Sequence, residues 1–353
     1  MKRWYAIAPA LLMLLAPVAA QCQQPAEAQH TVPAAFVAPS ATTPLRPGQK
    51  IDRLFRRNLE QPYVLQKLAD RTYFVERQFY AATFYVGDQG VLLFDAPRGH
   101  GAQLLHAIRE VTALPVTALV YSHFHADHIG DAQFWVDEAR KAQRTLQIVA
   151  SRATADKMER MHSALPRPTL VLAGAEARRH GRDSFRFDAG LQIELHPFEH
   201  AAHTDDHAAW LLVQPRVVHS PDLLNPDQLP FLGFAVSDTL TTHAADLDTV
   251  AALEWDFCVA GHGNVGSRDD FVFERRFLGE LLEATAQALE AEPFSRHVDP
   301  GANSHAAFAK SQRDAVTRRV MNAMRPTYGL MYGYEASMPA NVELAIRRVG
   351  SYR

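Results

Sequence analysis

The run Ser122-His123-Phe124-His125-Ala126-Asp127-His128 places three imidazoles and a carboxylate in six positions, directly after the apolar stretch Val116–Tyr121. Imidazole suits zinc and other borderline cations, and a carboxylate joins it when the cation is hard enough. Six residues cannot wrap one ion tetrahedrally with all four groups. They can serve two adjacent ions, with His123 and His125 reaching one and Asp127 and His128 the other. Without a cation, three histidines and an aspartate in one loop are electrostatically awkward. More ligands must then arrive from elsewhere in the chain.

Three places supply them. His203 opens His-Thr-Asp-Asp-His after the apolar-polar alternation Leu191–Leu195. Asp222 follows the β-type run Arg216–Ser220, and His262 sits in Gly261-His262-Gly263 after Asp256–Ala260. Each stands at or near the C-terminal end of an expected strand, where loops gather on one rim of a sheet sandwich. Any of these three alone would mean little among 17 histidines and many turn aspartates. His200, His207 and His219 are read as supporting or surface residues.

In this order the four motifs resemble the metallo-β-lactamase superfamily of metallohydrolases: His-x-His-x-Asp-His, then His, then Asp, then Gly-His-Gly, over roughly residues 60–266. The resemblance implies an α/β fold, the αββα metallo-β-lactamase sandwich. It implies two zinc ions, one on His123, His125 and His203 and the other on Asp127, His128 and His262, with Asp222 bridging. Such a pair lowers the pKa of a shared water from about 15.7 toward roughly 7, and the hydroxide attacks an electrophilic centre. Asp127 would aim that nucleophile. Asp95, ending Val91-Leu-Leu-Phe-Asp95, would orient the metal loop rather than bind an ion. Gly130 and Gly261 would let the backbone turn sharply around the ions.

Departures from family patterns bear on the substrate. Lactamases with a cysteine ligand carry it where this chain has Asp222, and commonly a lysine where it has Asn225. The flavodiiron branch has Glu in place of His125, and persulfide dioxygenase relatives leave the second site unused. The pattern is closer to glyoxalase II and lactonase relatives with a bridging aspartate. The expected activity is hydrolysis of a small ester, thioester, lactone or similar bond. The alternatives are a β-lactamase and a non-catalytic metal-binding accessory protein of a periplasmic pathway. Iron or manganese can also occupy mixed His/Asp sites. Phe79 and Tyr80 could form a flap over the metals, and Leu229–Phe234 an apolar rim favouring an uncharged, partly hydrophobic substrate.

The elements that must position these residues follow from the rest of the chain. Its 353 residues are 47% hydrophobic and 21% charged, an ordinary globular composition with room for a full core. A formal charge of −3 and no basic stripe give no footprint for nucleic acid. Lys2 and Arg3 precede an apolar run and Pro17-Val18-Ala19-Ala20, which reads as a signal peptide over residues 1–20. A periplasmic or secreted protein without stable membrane insertion is therefore expected. Residues 21–58, rich in Gln, Ala, Pro and Thr, read as a disordered arm. The two cysteines are not expected to pair, and Cys258 reads as a small buried hydrophobe.

Short strands are expected over Thr72–Val75, Ala82–Val86 and Val91–Phe94, with Gly87-Asp-Gln-Gly90 as a hairpin turn. Helix and strand signals then alternate: helices over Gly101–Val111, Ala132–Lys141 and Ala153–His162, strands over Leu146–Ala150 and Thr169–Leu172. The metallo-β-lactamase-like domain is bounded at 59–266. Residues 267–353 read as a C-terminal helical extension: one helix carrying Phe273, Phe277, Leu281, Ala284 and Ala288 on one face, a second over Ala306–Met324 ended by Pro326, a third over Pro339–Val349.

Overall fold

The computed structural model describes residues 32–173 and 183–351; the expected signal peptide lies outside them. Strands β1 (Ala35–Val37) and β2 (Gln49–Ile51) form a small parallel pair. Strands β3 (Val64–Ala69), β4 (Thr72–Arg77), β5 (Tyr80–Val86), β6 (Val91–Phe94), β7 (Val116–Val120), β8 (Gln147–Ser151) and β9 (Leu170–Leu172) make a seven-stranded sheet in sequential order. It is antiparallel from β3 to β6 and parallel from β6 to β9. Strands β10 (Asp183–Phe187), β11 (Leu191–Pro197), β12 (Ala208–Leu212), β13 (Val217–His219), β14 (Phe257–Val259) and β15 (Val265–Gly266) make a second, six-stranded sheet. Only its β13–β14 pair is parallel.

Alternation along the strands decides the layers. Phe74, Leu92, Phe94 and Val120 of the first sheet share one core with Ile193, Trp210, Val217 and Val259 of the second, so the sheets pack face to face. The alternate residues Val75, Phe84, Leu93 and Leu119 face outward, covered by Leu104 and Ile108 of α2 (Gly101–Val111) and Trp135 of α4 (Ala132–Lys141). On the other side Leu211, Val218 and Cys258 are covered by Leu247 and Val250 of α7 (His243–Ala251). The result is the αββα sandwich.

The helical region comprises α8 (Arg268–Ala291), α9 (His305–Tyr328) and α10 (Tyr334–Ser351), which share an apolar cluster built on Phe277, Leu281, Val320 and Val342. It packs on the sandwich through Phe271, whose ring lies 5.1 Å from Trp255. Neither proline behaves as expected. Pro326 does not end α9, which continues to Tyr328, and Pro339 falls inside α10 rather than opening it. Each sits near a helix end, where a missing N–H removes one ladder bond and neighbouring packing retains the turn.

The arm read as disordered over 21–58 is structured across its described part. Leu45, Ile51 and Leu54 join the sandwich core, and α1 (Leu54–Glu60) follows β2. The Lys50 ammonium is fully buried, 2.7 Å from Asp227 and 2.5 Å from Asp270. Composition gave no sign of this because those partners lie 177 and 220 positions away. Among the described residues no helix is long and apolar enough to cross a membrane.

Candidate metal centre

Four strand ends on one rim deliver the site. The loop after β7 carries His123 and His125 and enters the single-turn α3 (Ala126–Ile129) with Asp127 and His128. His203 follows β11, Asp222 follows β13 and His262 follows β14. All seven expected ligands come together. They fall into two groups, His123/His125/His203/Asp222 and Asp127/His128/His262, with ligand atoms in each within 4.8 Å of one another.

The first group converges through ring nitrogens. His203 Nε2 lies 3.3 Å from His123 Nε2 and 3.1 Å from His125 Nδ1. Asp222 lies between the groups. Its Oδ2 is 3.5 Å from His123, 3.2 Å from His203 and 2.9 Å from His128, while its Oδ1 is 3.2 Å from His262. Asp127 Oδ2 is 3.6 Å from both His128 and His262. Lone pairs this close repel unless protons or cations lie between them, so the donor set fits a pair of divalent cations.

The charge balance agrees. Burial alone would raise Asp222, but His128 and His262 outweigh it and hold its carboxyl well below the usual range. Burial disfavours charge on His128, yet Asp222 and Asp95 raise it well above an ordinary histidine. Against burial, Asp222 and Asp127 push His262 up to about 9. His123, buried beside His128 and His203, is driven well below the usual value. Cations would supply the positive charge that these carboxylates favour, and their binding would displace any proton held there.

A supporting layer fixes the rings. His262 Nδ1 donates to the Phe79 carbonyl at 2.8 Å, which leaves the Nε2 lone pair facing the centre. Ser122 Oγ is 3.1 Å from His123 Nδ1. Asp95 accepts from Ser122 N and pairs with His219 Nε2, both at 2.9 Å, and its Oδ2 lies 3.5 Å from His128 Nδ1. His219 is fully buried, whereas His200 is exposed. His207 is buried with its ring against His123 and His203. Asp206, which the sequence did not single out, accepts from Phe124 N at 2.7 Å and takes Lys157 at 2.9 Å, bracing the histidine loop. Tyr80 sets its ring edge-on to His262 at 5.0 Å. Asn225 is buried and accepts from Phe231 N, and of the expected rim Leu229 and Phe234 are buried while Phe231 and Leu232 are exposed.

The family model of the metallo-β-lactamase superfamily matches residues 77–262, which hold all seven clustered side chains. The chain belongs to the metallo-β-lactamase superfamily. That superfamily consists mostly of hydrolytic metalloenzymes. Among solved structures, the chain is similar to a metallo-β-lactamase from Pontibacter korlensis, 18% identical with a TM-score of 0.50, covering 62% of this chain and 99% of that one. It is similar also to metallo-β-lactamase IND-7, 16% identical with a TM-score of 0.51 and the same coverage. These likenesses establish the superfamily fold. A comparison with curated proteins returns no match.

Gly261 shows how closely the superfamily site is packed. Its φ is +78°, and an added Cβ would stand 2.6 Å from Pro221 Cβ and 2.8 Å from His128 Cε1. Gly261→Ala should therefore cost about 1–3 kcal/mol and displace His128. Thermal melting and ion content after dialysis would register both effects, with Gly350→Ala, which has open space around it, as the control.

Proposed function

We propose that this chain is an exported, two-zinc hydrolase acting on a small ester, thioester or lactone. The observation that carries the reading is the Asp222 carboxylate, within 3.5 Å of nitrogens from both ligand groups. His123, His125 and His203 would hold one ion and Asp127, His128 and His262 the other, with Asp222 shared. When bound, the ions supply Lewis acidity and make water nucleophilic at neutral pH.

The chain's own residues supply aim. The Asp127 side chain is 43% exposed while Asp222 is 4% exposed, so Asp127 is the carboxylate that can meet an incoming water. It accepts a hydrogen bond from that water and directs the oxygen at the acyl carbon. The acyl C–O or C–S bond then breaks, and the water's proton passes to the departing oxygen or sulfur. His262, fixed by the Phe79 carbonyl, stands beside Asp127, its Nε2 3.6 Å from Oδ2. Asn225 offers a neutral amide three residues after Asp222, and its Oδ1 is engaged by the loop backbone.

Elemental analysis should find about two zinc ions per chain, and chelator dialysis should abolish turnover of an ester, thioester and lactone panel until zinc is restored. One ion or none, with no turnover on that panel, would overturn the reading. Export is tested separately by the N-terminal residue of the protein recovered from the periplasm or medium.

A further inference from the structure

Ten large apolar side chains are exposed among the described residues, and six of them lie on three segments that meet beside the centre. They are Phe55 and Leu59 on α1, Leu330 between α9 and α10, and Phe231, Leu232 and Val236 in the loop after Asp222. The Phe55 ring is 4.9 Å from Tyr332 and 5.2 Å from Phe79, and Leu229 N donates to the Tyr332 carbonyl at 3.3 Å. This group is continuous with the site at two places. The Phe79 carbonyl receives His262 Nδ1, and Asp238 N donates to the His203 carbonyl at 3.1 Å, two residues beyond Val236.

The loop is held in a costly shape. Within α6 (Leu232–Val236) the φ angles of Gly233, Phe234, Ala235 and Val236 are +63°, +54°, +55° and +58°, a left-handed turn that side chains other than glycine disfavour and a β-branched valine most of all. Asn341, fully buried, pins it by accepting from Phe234 N at 3.1 Å and donating to the Pro230 carbonyl at 2.8 Å. The turn sends Phe234 into the helical core and leaves Phe231, Leu232 and Val236 in water. Strain retained in order to display apolar surface beside a reaction site points to a ligand that covers that surface.

We infer that these three segments form an apolar subsite for an alkyl or aryl group carried by the substrate. The inference rests on the hydrolase reading only in calling the ligand a substrate. The six side chains are apolar, which suits an alkyl or aryl group. Phe55, Leu59 and Leu330 lie outside the matched residues 77–262 and Phe231, Leu232 and Val236 inside them, so the subsite joins the N-terminal and C-terminal additions to a loop of the matched region.

Binding of inert n-alkanols to the zinc-loaded full chain, followed by calorimetry, tests the subsite without turnover. Affinity should rise from 1-butanol to 1-octanol, approaching about fourfold for each methylene buried. Phe55→Ser and Phe231→Ser, both at half-exposed positions, should each weaken octanol at least about fivefold and leave butanol nearly unchanged. Met161→Ser, at an exposed apolar residue elsewhere, should change neither. Affinity independent of chain length, or a gradient that survives both substitutions, would overturn the subsite. So would an intact octanol gradient accompanied by lost self-association or lost binding to phosphatidylcholine vesicles, which would assign the patch to a second copy or a lipid surface. Failure here leaves the two-zinc hydrolase standing, and a zinc-loaded protein without turnover leaves the subsite standing.

Discussion

Asp127→Asn is expected to lower turnover of the best panel substrate by about 10²–10⁴-fold while the protein still folds. The substitution keeps size and shape and removes the charge that would accept a hydrogen bond from the attacking water and help hold the second ion. Asp127 lies on the one-turn α3 with its side chain 43% exposed, so little of the fold depends on it. Burial tends to raise its pKa, but His262 and His128 prevail and hold it below the usual carboxylate value, so it remains ionised at neutral pH. The loss should therefore appear in kcat across neutral pH rather than as a shifted pH optimum. Asp222→Asn should reach further, to both ions rather than one. At 4% exposure among four histidine nitrogens, that carboxylate is needed to hold charge in both ligand groups, and ion content should fall along with activity. An Asp127→Asn protein with full turnover would remove the water-orienting role.

The clustering of these seven side chains was legible because metal chemistry is local in residue type. Few side chains bind zinc, and the His-x-His-x-Asp-His run concentrates them. Strand ends were legible for a related reason: short β-type runs before His123, Asp222 and His262 mark where a sheet delivers a loop to one rim. The supporting layer was partly legible. His219 shares the strand face of Val217, which points into the inter-sheet core, and a histidine in that register needs a buried partner, here Asp95. What stayed hidden depends on partners distant in sequence. Nothing around Phe55 signals that its ring will meet Tyr332, and nothing in the Gln/Ala/Pro-rich arm signals that Lys50 will be sealed under Asp227 and Asp270. The prolines misled in the same way, because tertiary packing of α9 and α10 overrode a local rule.

Lys50→Met should be the most damaging substitution outside the ligand set, with a loss of about 3–5 kcal/mol in unfolding free energy. Its ammonium is fully buried, and removing it takes one positive charge away from Asp227 and Asp270, at 14% and 3% exposure. The network reaches the site from two sides. Asp227 follows Asp222 in the same loop and accepts from Asn264 Nδ2 at 2.6 Å, and Asn264 stands next to the Gly261-His262-Gly263 turn. Asp270 also caps α8 by accepting from Ser267 N at 2.7 Å, so the same lysine anchors the helical region. Burial opposes the Lys50 charge, but the two carboxylates outweigh it and raise its pKa above 10.5. A raised folded pKa means the contribution is fully present below the unfolded value and is lost only as pH climbs through the folded one. The deficit of Lys50→Met should thus be constant from pH 6 to about 9 and shrink in strong alkali. Denaturant midpoints would measure it, with exposed Lys310→Met as a control expected to change little. Adding Asp227→Asn and Asp270→Asn to Lys50→Met should restore part of the loss, because the cost lies in stranded charge rather than in the missing attraction. A triple variant no more stable than the single one would mean that the aspartates matter through shape and hydrogen bonding alone.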